Sequence, residues 1–220
     1  MNTRPAPIWD LPTRLFHWSL PPLLAASWAS AEFNRLEIHE WCGYTMLTLI
    51  AFRIVWGFVG STHSRFASFL RGPGAIIDHW RNKGPHPEGH NPAGGWSVML
   101  MLILLLAQAS TGLFNEDDVA FSGPLVHTVS DSLAGTLGAW HETNFYILLA
   151  LIVLHVGTVL LYLRRGQNLL GPMIGGGRSV QGARVTASWI ALLILAACAG
   201  LLWFLLWFLL SLSPKPAIFM

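Results

Sequence analysis

The sequence predicts an all-α integral membrane protein, and three observations carry that reading: long apolar stretches, scarce charge, and histidines inside the apolar stretches. Of 220 residues, 53% are hydrophobic and 11% charged, where a soluble domain carries about 25% charged. Mean hydropathy is +0.51. Five stretches reach spanning length, at residues 15–31, 39–59, 96–114, 139–163 and 186–210. They leave no room for a separate soluble unit, so residues 1–220 read as one membrane domain.

The first span enters from WDLPTRLFHW, and Pro21 and Pro22, one turn past His17, should kink or delay its helix. SWASAEF resembles a signal-peptide cleavage site, yet the segment before it carries a histidine the site requires, so the span is expected to be retained. A short turn, about Ala31 to Ile38, leads to the second span, HEWCGYTMLTLIAFRIVWGF. The loop from Gly60 to Gly95 is polar and rich in Gly and Pro. Within it FASFLRGPGAIIDHW suits the headgroup layer, although Pro73 opposes one continuous helix. Asn91 and Pro92 form an N-cap and first-turn pair for the third span. The loop from Asn115 to Gly138 is acidic, and the one from Arg164 to Arg184 contains Gly175, Gly176 and Gly177. Trp9, Trp41, Trp56, Trp96, Trp140 and Trp189 stand near span ends as interface anchors.

Basic residues set the expected sidedness. Arg4, Arg14, Arg53, Arg65, Arg71, Arg81, Lys83, Arg164, Arg165, Arg178 and Arg184 fall on one side, and only Arg35 and Lys215 on the other. Glu32, Glu37, Glu116, Asp117, Asp118 and Asp131 join that second side. The positive-inside rule places the N-terminus in the cytoplasm and the C-terminus in the periplasm of a bacterial inner membrane. Five spans require opposed ends, so count and charge agree. Cys42 and Cys198 have no zinc or CxxC spacing and read as packing residues. GPGA and GGG lack a preceding strand, and no P-loop or nucleophile elbow occurs, so nucleotide and triad chemistry are not expected. Nucleic acid is not an expected partner either.

His141 and His155 bracket HETNFYILLALIVLH. Fourteen helical steps rise about 21 Å and fall about 40° short of four turns, so both rings leave one face at two depths. His17 lies at the cytoplasmic edge of the first span and His39 at the outer edge of the second. Depth therefore sorts the four into His17 with His155 and His39 with His141. A lone histidine in a membrane helix is more often a buried polar residue or a proton relay. Four at matched depths point instead to two bis-imidazole haem irons; zinc or copper would need more close ligands. His63, His79, His86, His90 and His127 fall in loops and read as surface residues.

Gly43, one turn from His39, leaves room for a porphyrin against the helix. Arg53, fourteen residues after His39, and Arg14, three before His17, suit an inner haem propionate; the positive-inside rule explains both equally well. Glu40 and Glu142, next to the outer ligands, are first-turn acids favoured by the helix dipole, with tuning of the outer haem as a weaker reading.

WDLPTRLFHW, HEWCGYTMLTLIAFR, GHNPAGG before an apolar span, and HETNFYILLALIVLH together resemble the bacterial dihaem cytochrome b561 group, related to the cytochrome subunit of nickel–iron hydrogenases. The resemblance covers residues 9–163. It implies a four-helix transmembrane bundle enclosing two haems b, His17, His39, His141 and His155 as axial ligands, and quinone chemistry, with ubiquinone or menaquinone as substrate. The fifth span departs from that minimum. Residues 164–220 then comprise an inner loop, the extra helix and an outer tail.

Filled axial positions disfavour oxygen activation and favour electron transfer. The expected function is an electron conduit between the quinone pool and a periplasmic partner such as a cytochrome c, which acidic outer loops would steer. Two alternatives stand beside it: superoxide oxidation coupled to quinone reduction, which the scarcity of outer cations disfavours, and a membrane anchor for a hydrogenase or another periplasmic dehydrogenase. The quinone site is not legible; Trp9, Asp10 and Arg14 are candidates by position alone.

Overall fold

The structure is a computed structural model that describes residues 6–72, 74–75, 77, 81, 92–116, 122–177, 179–180 and 183–212. Arg4, Pro73, His79, Lys83, His86, His90, Asn91, Asp117, Asp118, Arg178 and Lys215 lie outside the described residues. Five long helices dominate: α1 (Leu11–Glu32), α2 (Leu36–Val59), α4 (Pro92–Gly112), α5 (Asp131–Arg164) and α7 (Ser188–Ser211). The described residues also form two short helices, α3 (Phe66–Phe69) and α6 (Leu170–Gly175), single 3-10 turns at Thr62–Ser64 and Val126–Thr128, and a two-residue ribbon of β1 (Ala6–Pro7) with β2 (Ser179–Val180). The end at which α1 begins is called proximal below, and the opposite end distal.

By length and composition α2, α4, α5 and α7 are able to cross a membrane. Arg14, His17 and the Ser, Pro and Trp residues of α1 make it less apolar. Its 22 residues rise about 33 Å, which exceeds a ~30 Å hydrocarbon core. Hydrogen bonds join α1 to α2 at both ends, Asp10 to Trp56 and Ser27 to His39, so the two lie side by side through the full depth.

Asp10 explains why α1 starts early. Its carboxylate accepts the Thr13 N–H at 3.0 Å as N-cap, and Pro12 fits the first turn. The helix is not delayed by Pro21 and Pro22 but runs through them. Each proline removes one amide, freeing only the His17 and Trp18 carbonyls from the ladder, and packing on α2 carries the helix across. Asn34, with φ of 52°, turns the chain between α1 and α2 within residues 33–35; asparagine tolerates this left-handed conformation well. At its start α5 gains eight residues over the expected span. Ser130 caps it through the Leu133 N–H, drawing DSLAGTLG into the helix.

In the segment after α2, Phe66 and Phe69 turn into the protein. Both are buried in a proximal cluster with Phe16, Phe52, Trp56 and Leu102. Gly57 permits this, because a Cβ there would collide with the Phe66 ring. Trp56 belongs to the same cluster and is 0% exposed, so it is a core residue and not an interface anchor. Trp41, Trp96 and Trp189 are exposed near helix ends, and Trp140 is exposed nine residues into α5. Cys42 is buried and Cys198 packs against the proximal cluster.

The packing order leaves a seam. Helix α1 lies on α2, α2 on α4, α4 on α5, and α7 against α2 and, less extensively, α1. Between α5 and the α1–α2 pair there is at most marginal backbone contact. Across that seam the histidines face one another.

Candidate functional site

At the proximal end His17 of α1 and His155 of α5 place their ring centres 6.4 Å apart; at the distal end His39 of α2 and His141 of α5 stand 6.1 Å apart. All four are half-buried. The pairing by depth expected from the sequence is the one the fold brings together. Edge-to-face aromatic pairs share this distance range, so separation alone does not define the site.

The distal hydrogen bonds carry more information. His39 Nδ1 lies 2.8 Å from the Ser27 carbonyl of α1, and His141 Nδ1 lies 2.9 Å from the Gln108 carbonyl of α4. A carbonyl only accepts, so each Nδ1 carries the proton and each Nε2 keeps its lone pair. That is the tautomer of a metal-ligating histidine held by a backbone oxygen. The two halves of the bundle repeat the device, down to a neighbouring hydroxyl: Ser27 Oγ at 3.3 Å from His39 Nδ1 and Thr111 Oγ1 at 3.2 Å from His141 Nδ1. Asn144 further ties α5 to α4 through the Leu104 carbonyl and Gln108 Oε1. Gly112 lets the His141 ring approach α4, since a Cβ there would sit 3.0 Å from Cε1.

The proximal end is different. Among the described residues, His17 Nδ1, Arg14 Nε, Arg53 Nη1 and His63 Nε2 are buried without a hydrogen-bond partner. Arg53 is 3% exposed, with its guanidinium 5.0 Å over the Phe66 ring and Asp10 within electrostatic range. Arg14 donates to the Ile174 carbonyl at the end of α6. Asp10 is 2% exposed and both its oxygens are engaged, by the Thr13 N–H and by Trp56 Nε1 at 3.0 Å. It therefore clamps the start of α1 to α2. His63 is half-buried with a buried ring nitrogen, not a solvated loop residue, because the turn at Thr62–Ser64 folds under the bundle. His127 is exposed.

Around a Cβ placed on Gly43 nothing lies within 4 Å, so the space beside His39 is open. Glu40 accepts the Tyr44 hydroxyl, and Glu142 is exposed. Sequence reasoning missed Ser27, Gln108, Thr111, Asn144 and Gly112. The polar run QASTG inside an apolar span was the available signal for three of them.

The prokaryotic cytochrome b561 family matches residues 8–176 of the sequence. The chain belongs to that family. It is thus a b-type membrane cytochrome of electron transfer, and haem b is the group the cytochrome b561 family implies. No curated protein and no solved structure matches it.

The residues present fit that group. Two metal–imidazole bonds of about 2 Å, with about 1.1 Å from each nitrogen to its ring centre, span about 6 Å, which is the separation of both pairs. The seam beside α5, the open face at Gly43 and the unpartnered Arg53 nitrogen suit a flat macrocycle with anionic propionates.

Proposed function

We propose that this cytochrome carries electrons between the membrane quinone pool and a periplasmic redox partner such as a cytochrome c. His17 and His155 would hold one haem b, and His39 and His141 the other. The two opposed histidine pairs, one at each end of α5, are the observation that supports this most strongly. When bound, each haem would supply a one-electron redox couple.

The chain's own residues orient and enclose that couple. The Ser27 and Gln108 carbonyls fix the distal imidazoles, Gly43 keeps the helix face clear, and Arg53 and Arg14 offer guanidinium charge at the proximal end. In this reading residues 1–220 form a single membrane domain with the proximal end cytoplasmic, where Arg14, Arg65, Arg71, Arg164, Arg165 and Arg184 gather. The exposed acids at the distal end, Glu32, Glu37, Glu116 and Asp131, then face the periplasm. They suit a cationic protein surface better than an anion such as superoxide.

The test is anaerobic mixing of the purified holoprotein with ubiquinol or menaquinol, then with a basic periplasmic cytochrome c. Both haems should reduce and then reoxidise at a salt-sensitive rate. His39→Ala and His155→Ala should each remove a different haem, and two intact haems in either variant would refute the pairing.

A further inference from the structure

The two histidine pairs are built from the same residue type but held differently, and the difference bears on their reduction potentials. We propose that the backbone acceptors at Ser27 and Gln108, with Gly112 allowing the close approach, hold the distal pair at a lower reduction potential than the proximal pair. This rests on the bis-histidine reading above and concerns positioning residues, none of which would touch iron.

Both distal rings donate Nδ1–H to a carbonyl, at 2.8 Å and 2.9 Å, from helices on opposite sides of the seam. Donation from Nδ1 makes the opposite nitrogen more basic, and a more basic ligand favours the ferric over the ferrous state. Since both axial ligands share the device, their effects add at one iron. At the proximal pair His17 Nδ1 is buried with no partner, so at least one ligand there lacks it.

Charge acts in the same direction. Glu40 and Glu142 directly follow the distal ligands, and a carboxylate favours the more positive iron. The buried Arg53 and the half-buried Arg14 sit at the proximal end and favour the less positive one. Asp10, close to Arg53, offsets part of that charge without reversing it, because one carboxylate stands against two guanidinium groups. The resulting slope favours passage of one electron from the distal to the proximal site. In that step the distal iron is oxidised, the proximal iron is reduced, and no bond or proton changes place.

A spectroscopically monitored redox titration of the purified holoprotein should resolve two waves. His39→Ala should abolish the lower wave and His155→Ala the higher. Gly112→Ala keeps all four ligands but presses on the His141 ring, at 3.0 Å from Cε1 and 3.3 Å from Nδ1. It should lengthen the bond to Gln108 and move the lower wave alone to higher potential. Loss of the higher wave in His39→Ala, coincident waves in the wild type, or a Gly112→Ala shift confined to the higher wave would each overturn the proposal. The Gly112→Ala result decides even where a ligand variant fails to assemble. Fewer than two haems per wild-type chain would instead defeat the bis-histidine reading, so the two failures are distinguishable.

Discussion

The distal and proximal ends of α5 present the same residue in two settings. His141 is held by the helix beside it, through a carbonyl, a hydroxyl and a glycine that fall within five positions of α4, Gln108 to Gly112. The proximal surroundings come from segments far apart in the chain: Arg14 meets the end of α6, Trp18 Nε1 reaches the Met173 carbonyl at 3.0 Å, and the Trp9 N–H reaches the Gly176 carbonyl. One end is ordered by helix–helix approach, the other by loops folded across a helix terminus. Their mechanical tolerance should differ accordingly: a single added side chain at the distal end acts directly on a ring, whereas a change at the proximal end acts first on the fold.

The sharpest way to break the comparison is Gly112→Leu. Its side chain would drive the His141 ring from α4, and about half the haem absorbance should be lost while the proximal haem stays; equal loss of both haems would erase the claimed independence of the two ends. Gly43→Leu comes next. Because nothing lies within 4 Å of a Cβ at Gly43, the empty protein should fold with unchanged helical circular dichroism, yet distal haem occupancy should fall. Full occupancy would remove Gly43 from the site.

Asp10→Ala probes the other end. It removes the α1 N-cap and leaves the buried Trp56 N–H without an acceptor, a loss of about 2 kcal/mol, read as a lower melting temperature with both haem spectra retained at low temperature. A selective loss of one haem without destabilisation would mean that Asp10 serves the site directly. The smallest expected effect is kinetic. Raising salt from about 0.05 to 0.5 M should slow reoxidation by a basic cytochrome c roughly tenfold, and a flat response would separate the acids of the distal loops from docking.

Much of this was legible before any fold was known, and the errors have a common form. The histidine pairs and the long helices followed from position along the chain. Reading Trp56 as an anchor and His63 as a surface residue failed because proximity to a span end does not say whether another segment covers it. Phe66 and Phe69 supply that cover, and they do so only because Gly57 admits a ring. The early start of α5 was missed because Ser130 capping extends a helix beyond its apolar run.

By itself the sequence determined the long helices and where each histidine lies along its own, because height along a helix grows linearly with residue number at about 1.5 Å per residue. Only the tertiary structure decided which carbonyl meets each Nδ1, where Arg53 rests, and that α5 stands off from α1 and α2. Those are lateral relations between helices, set by side chains that interlock across the bundle, and no periodicity within one segment encodes them.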